Sequence, residues 1–211
     1  MIRSKQILFT GALLMLFAIV GGAMVGMTYE GTAERIAENE RQAMLRNLNQ
    51  ILPHSEYDND LLQDTLTLPA DERLGQQDPS TAYVAKKDGR ISAIIFSVIA
   101  PDGYSGEIRL LVGIRASGNI AGVRVIKHNE TPGLGDAIET QRSNWVTHFD
   151  GRSLQNPSGK GWAVKRDGGV FDQFTGATIT PRAVVNAVHQ TLIYFDRHRP
   201  QLLKQPEAPA S

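Results

Sequence analysis

The chain has 211 residues, with 22 Lys and Arg set against 22 Asp and Glu, so it carries no net basic field of the kind that holds nucleic acid. Cysteine is absent, which excludes disulfides, thiolate metal ligation, cysteine-held iron–sulfur clusters and a cysteine nucleophile. The length accommodates one good-sized domain plus an anchor.

Other common chemistries find no support in the residue pattern. The five histidines (His54, His128, His148, His189 and His198) show no metal-ligand spacing. No serine stands in a nucleophile elbow, no P-loop is present, and no glycine-rich dinucleotide fingerprint follows a strand.

Residues 7–27 form an uncharged run rich in Leu, Ala, Val, Met and Gly. Wound as a helix, such a run reaches roughly 30 Å, enough to cross the hydrocarbon core. It is longer than the apolar region of a cleaved signal peptide, which spans about 7–15 residues, so an uncleaved single span is expected over residues 7–28. Arg3 and Lys5 precede the run, whereas Glu30 and Glu34 follow it. The positive-inside rule therefore places residues 1–6 in the cytoplasm and the remainder outside it. Ala18, Gly22 and Gly26 make a small-residue stripe on which a neighbouring membrane helix can pack.

Beyond the anchor, residues 29–53 read as a stalk helix. Met44, Leu45, Leu48, Ile51 and Leu52 recur at helical spacing, and Pro53 stops the run. Residues 54–79 are polar and aperiodic and read as loop. Asp88-Gly89, between residues 82–86 and 91–99, predicts a hairpin with a type I′ turn. Residues 107–116 and 120–127 predict a second hairpin. Its Ile108, Leu110, Val112 and Ile114 alternate with other residues, so one face of an antiparallel sheet is expected to be buried and the other wetter. A short helix is predicted over residues 137–149. The last helix is predicted from Pro181 to His198, with Thr180 as N-cap and Val184, Val185, Val188, Leu192 and Phe195 buried. The fold class is α+β, with a domain over residues 54–199 and a disordered tail over residues 200–211.

Two stretches carry chemistry. Thr175-Gly176-Ala177-Thr178 places two hydroxyls and an unhindered turn just ahead of a helix N-terminus, where free N–H groups and the positive dipole end favour phosphate. Upstream, His128-Asn129-Glu130-Thr131-Pro132-Gly133-Leu134-Gly135 has a proline and two glycines that fix a tight backbone able to approach a planar ligand.

With Asp172 included, the first stretch reads Asp-x-x-Thr-Gly-Ala-Thr and resembles the flavinylation motif of FMN-binding subunits in bacterial respiratory electron-transfer complexes. In that family a flavin transferase uses FAD to join FMN by a phosphoester to the last hydroxyl residue of the motif. The resemblance therefore implies covalent FMN on Thr178, with Asp172, Thr175, Gly176 and Ala177 as recognition residues. The second stretch is similar to the family's H-x-E-T-P-G-L-G loop. This implies that Glu130, Thr131, Gly133, Leu134 and Gly135 wall the flavin site, with Glu130 and Thr131 supplying polar contacts. The Asp102-Gly103-Tyr104-Ser105-Gly106 turn resembles a further family segment and implies Tyr104 near the ring. Trp145 and Trp162 are stacking partners or core.

The resemblance runs from the membrane helix to the last helix and is strongest to the G-subunit family of Rnf-type ion-translocating electron transport complexes. It implies an electron-carrying, membrane-anchored protein that works with the other Rnf subunits to exchange electrons between ferredoxin and NAD, coupled to ion movement. Two other readings stand beside it. One is the C-type flavin protein of the sodium-translocating NADH:quinone reductase, which shares anchor, motif and domain but tends to be longer. The other is a flavin-free assembly module. The chemistry expected of the chain is electron transfer by a tethered flavin, with no catalytic residue of its own and no metal.

Overall fold

The computed structural model describes residues 2–204 and separates two compact units, one up to Met44 and one from Leu45 onward. Helix α1 (Ile2–Ile51) runs without interruption through the predicted anchor and stalk. Nothing between Met27 and Thr32 breaks it, because the stretch has no proline and its weakest helix former, Gly31, costs only about 1 kcal/mol relative to Ala. In the first unit the apolar side chains face outward, including Phe9, Leu14, Phe17, Met24 and Val25. The mean hydropathy there reaches 2.3, so this stretch is long and apolar enough to cross a membrane.

The second unit is built on a five-stranded antiparallel sheet in simple meander order: β1 (Thr65–Leu68), β2 (Ser80–Lys87), β3 (Arg90–Gly103), β4 (Gly106–Arg115) and β5 (Ile120–Lys127). Both predicted hairpins are present. Asp88 (φ +49°) and Gly89 (φ +73°) take the two positive φ angles that a type I′ turn requires. Strand β1 lies within the stretch read as loop, pairing Thr65 with Tyr83 and Leu68 with Ser80. Four alternating residues flanked by polar sequence are too short for a periodic signal, so β1 owes its form to the edge of β2.

One face of the sheet presents Ile94, Phe96, Val98 and Ala100 of β3 and Ile108, Leu110, Val112 and Ile114 of β4 to the main core. Helix α2 (Ile179–Leu202) covers that face with Val184, Val185, Val188, Leu192 and Phe195. The opposite face is not uniformly wet as the alternation suggested. Glu107 and Arg109 are exposed, but Ile95, Leu111 and Gly113 are buried, as are Leu48, Ile51 and Leu52 at the end of α1. The stalk's apolar stripe closes this half of the sheet, which makes a second, smaller core.

The helix predicted over residues 137–149 is instead two 3-10 turns, Gly135–Ile138 and Trp145–Phe149. Between them Ser143 competes with the backbone: its hydroxyl donates to the Ala137 carbonyl at 2.6 Å and accepts the Trp145 N–H at 3.1 Å. Helix α2 also runs past its predicted end at His198, through Pro200 to Leu202. Pro200 cannot donate, but the Leu203 N–H still donates to the Arg199 carbonyl at 3.0 Å and Leu202 is buried, so the helix carries on past the proline. The tail from Gln205 to Ser211 lies outside the described residues.

Candidate functional site

Each of the two sequence motifs folds as a tight turn. In the first, the Leu134 N–H donates to the Thr131 carbonyl at 3.1 Å, with Pro132 second in the turn and Gly133 third at φ +78°. That is the Pro-Gly arrangement of a type II turn, whose third position requires positive φ. In the second, the Ala177 N–H donates to the Phe174 carbonyl at 3.2 Å, and Gly176 fills the same third position at φ +82°. The glycine of each motif is thus demanded by its own turn. The turns touch, since a Cβ on Gly176 would stand 3.4 Å from Cδ2 of Leu134.

Helix α2 starts where the second turn ends. Thr178 occupies the N-cap position with helical backbone angles (φ −85°, ψ −26°), and its side chain makes no capping hydrogen bond. Thr180, predicted as the cap, is instead the second helical residue and fully buried. Its hydroxyl donates to Oε2 of Glu130 across fifty positions of sequence. The other carboxylate oxygen of Glu130 accepts the Ser105 N–H at 2.9 Å, from the tip of the β3–β4 hairpin. Glu130 is 4% exposed, so both oxygens are committed inside the protein. Its own N–H donates to Nδ1 of His128 at 3.0 Å. That bond requires Nδ1 to be unprotonated and so places the imidazole proton on Nε2, 2.7 Å from Glu139.

These segments enclose a cleft of about 320 Å³ lined by Tyr104, Glu130, Thr131, Leu134, Gly135, Gly176, Ala177, Thr178, Ile179 and Thr180. The volume lies within the range of about 300–1,000 Å³ usual for ligand sites. Tyr104, Leu134 and Ile179 are 68%, 43% and 45% exposed. Beyond α1, Val170 is the only other exposed large apolar side chain among the described residues. An exposed apolar rim beside a helix N-terminus suits a ligand with a flat aromatic ring and a phosphate.

Eight of the eleven residues expected in the site line this cleft; Asp172, Thr175 and Gly133 do not. Gly133 acts through its turn. Asp172 lies outside, its carboxylate 2.5 Å from Lys165 and its carbonyl accepting Trp145 Nε1 at 2.7 Å. Thr175 is exposed at the second position of its turn. Trp145 and Trp162 are both core: Trp145 packs edge-on to Phe149 and Phe174, and Trp162 stacks flat on His189. Neither lines the cleft. Ile179 and Thr180 are the lining residues that motif reading left out. Thr180 had a signal, a threonine that the cap rules misassign when the helix starts early, whereas Ile179 had none.

The sequence profile of the FMN-binding domain family matches residues 103–193, a span that holds every lining residue of the cleft. The profile of the RnfG N-terminal region matches residues 1–51. Over 204 residues the chain is 52% identical to the G subunit of an ion-translocating oxidoreductase complex from Pseudomonas aeruginosa (strain UCBPP-PA14), covering 97% of this chain and 95% of the relative. It is 50% identical to a protein of the same name from Vibrio cholerae serotype O1 (strain O395), with 93% of each covered. A third, from Shewanella loihica, is 46% identical over 96% of this chain and 95% of its own length.

Proposed function

The chain belongs to the G-subunit family of ion-translocating oxidoreductase complexes, and from that premise we propose that it is a membrane-anchored electron carrier whose FMN is joined by a phosphoester to Thr178. The observation that carries this reading is the convergence of both motifs on one cleft, with Thr178 on its wall and its hydroxyl unused as a cap. FMN supplies one- and two-electron redox chemistry to the complex.

The chain's own residues position the group. Thr178 fixes the phosphate at the start of α2, where the first helical N–H groups lack ladder partners and the dipole end is positive. Tyr104, Leu134 and Ile179 offer the ring an apolar seat, and Thr131 stands at the cleft for a polar contact. Asp172 and Thr175, exposed outside the cleft, form part of the surface that the flavin transferase reads. In the attachment step the Thr178 Oγ–P bond forms as the diphosphate bond of FAD breaks. AMP leaves, and the hydroxyl proton passes to a base on the transferase.

A covalent tether keeps the local flavin concentration high without a deep pocket, so the ring edge can stay open to a partner. The partners are the other subunits of the complex. Residues 7–28 hold the chain in the inner membrane with its N-terminus cytoplasmic and the flavin domain periplasmic.

The test is the intact mass of denatured protein purified from cells with an active flavin transferase. A gain of FMN less one water, mapped to the peptide containing Thr178 and lost in Thr178→Val, is the expected result. An unmodified mass, with the transferase active on a control substrate, would overturn the covalent assignment.

A further inference from the structure

Helix α2 begins with little local support. Its N-cap side chain makes no capping bond, and the Arg182 N–H reaches the Thr178 carbonyl only at 3.4 Å. A helix start of this kind frays unless something else holds it. The holding group comes from the other motif. The buried Glu130 carboxylate takes the Thr180 hydroxyl with one oxygen and the Ser105 N–H with the other. It also lies at the positive end of the α2 dipole, where a negative charge is favoured.

The surroundings are shaped to this carboxylate. A Cβ on Gly135 would stand 2.9 Å from Cβ of Glu130 and 3.0 Å from its Oε2. One on Gly103 would stand 3.0 Å from its Oε1. Neither glycine has a positive φ angle. At Gly135 the space is taken by Glu130 and the Thr180 hydroxyl, whereas at Gly103 the Gly106 carbonyl oxygen is the nearer obstacle to such a Cβ. At the backbone end, the bond to His128 fixes Glu130 in turn.

We propose that Glu130 is a positioning residue that caps α2 from outside, through Thr180, and so presents Thr178 to the flavin-transfer reaction. Its bond to Ser105 simultaneously sets the hairpin tip that carries Tyr104. The H-x-E-T-P-G-L-G loop is then the brace of the attachment turn, and its glutamate is not a ligand of the flavin. This inference rests on Thr178 being the attachment residue.

The experiment measures the rate at which the detergent-solubilised full chain gains FMN from FAD and purified flavin transferase, read by intact mass. It is run at a temperature where near-UV circular dichroism shows each variant folded. Glu130→Ala and Thr180→Val should each slow labelling at least about tenfold, since small misplacements of a reacting group cost that much or more. The double variant should be no slower than the slower single one, because both remove the same brace. Thr180→Ser keeps the hydroxyl. Glu130→Gln keeps one oxygen for Ser105 and turns an amide N–H toward the Thr180 oxygen. Both should restore at least half of the wild-type rate. Wild-type rates in Glu130→Ala or Thr180→Val would overturn the proposal, as would Glu130→Gln being as slow as Glu130→Ala. Failure of the parent reading shows separately, as a wild-type chain that gains no mass at Thr178.

Discussion

Ile51 lies on Gly122 at backbone distance: a Cβ on the glycine would stand 3.1 Å from the Ile51 Cα and 3.2 Å from its carbonyl oxygen. Gly122 pairs across the sheet with Gly113, where an added Cβ would run into the Ile51 side chain. This bare patch admits the last turn of α1, and Arg124 ties it down by donating to the Gln50 carbonyl at 2.7 Å. Gly122→Ala should therefore cost about 1–3 kcal/mol by overpacking. Ile51→Ala should cost about 2–5 kcal/mol by leaving a cavity. Thermal melts of the full chain in detergent measure both.

The same contact predicts where the chain can be cut. A soluble fragment starting at Leu45 should fold, whereas one starting at His54 exposes the Leu111–Gly113 face and should aggregate. Size-exclusion chromatography of the two fragments decides it.

Acid should weaken the domain through His189. Burial against Trp162 holds this histidine below its ordinary pKa, so the unfolded chain binds the proton first as pH falls. Its contribution is complete above about pH 6.5 and is lost as pH drops from there toward the lower folded value. Glu56 and Asp64 act in the same direction only further into acid. Hydrogen bonds from Arg115 and Lys86 hold their carboxyls below the usual range. The melting temperature should decline between about pH 7 and pH 5, and His189→Phe should flatten that decline.

Within the turn over residues 174–177, roles should separate by backbone need. Gly176→Ala forces an alanine to φ +82°, at a cost of about 1–2 kcal/mol, and should slow flavin attachment. Thr175→Ala removes an exposed hydroxyl outside the cleft and should reduce attachment much less than Thr178→Val. Equal and complete loss in Thr175→Ala would give Thr175 a direct part in the reaction.

Topology is open to a clean test because the chain has no cysteine. Gln77→Cys, at an exposed position of the domain, should react with a membrane-impermeant maleimide in intact spheroplasts. Ser4→Cys should react only after lysis. The reverse pattern would place the domain on the cytoplasmic side.

Much of this protein was legible in its residues. The uncharged run at residues 7–27, the Asp88-Gly89 hairpin, the alternation in β4 and the two Gly-bearing turns are local patterns, set by side-chain period and by φ angles that only certain residues tolerate. Such signals act over a few positions and survive in any context. What needed the tertiary structure are relations between distant residues with no local cost or benefit. Strand β1 forms because β2 offers it an edge. Half of the second face of the sheet is buried because Ile51 finds two facing glycines. Thr180 turns inward because Glu130, fifty positions earlier, waits there with a buried carboxylate. Burial and hydrogen-bond satisfaction are properties of the folded assembly, and only folding brought the two motifs together around one cleft.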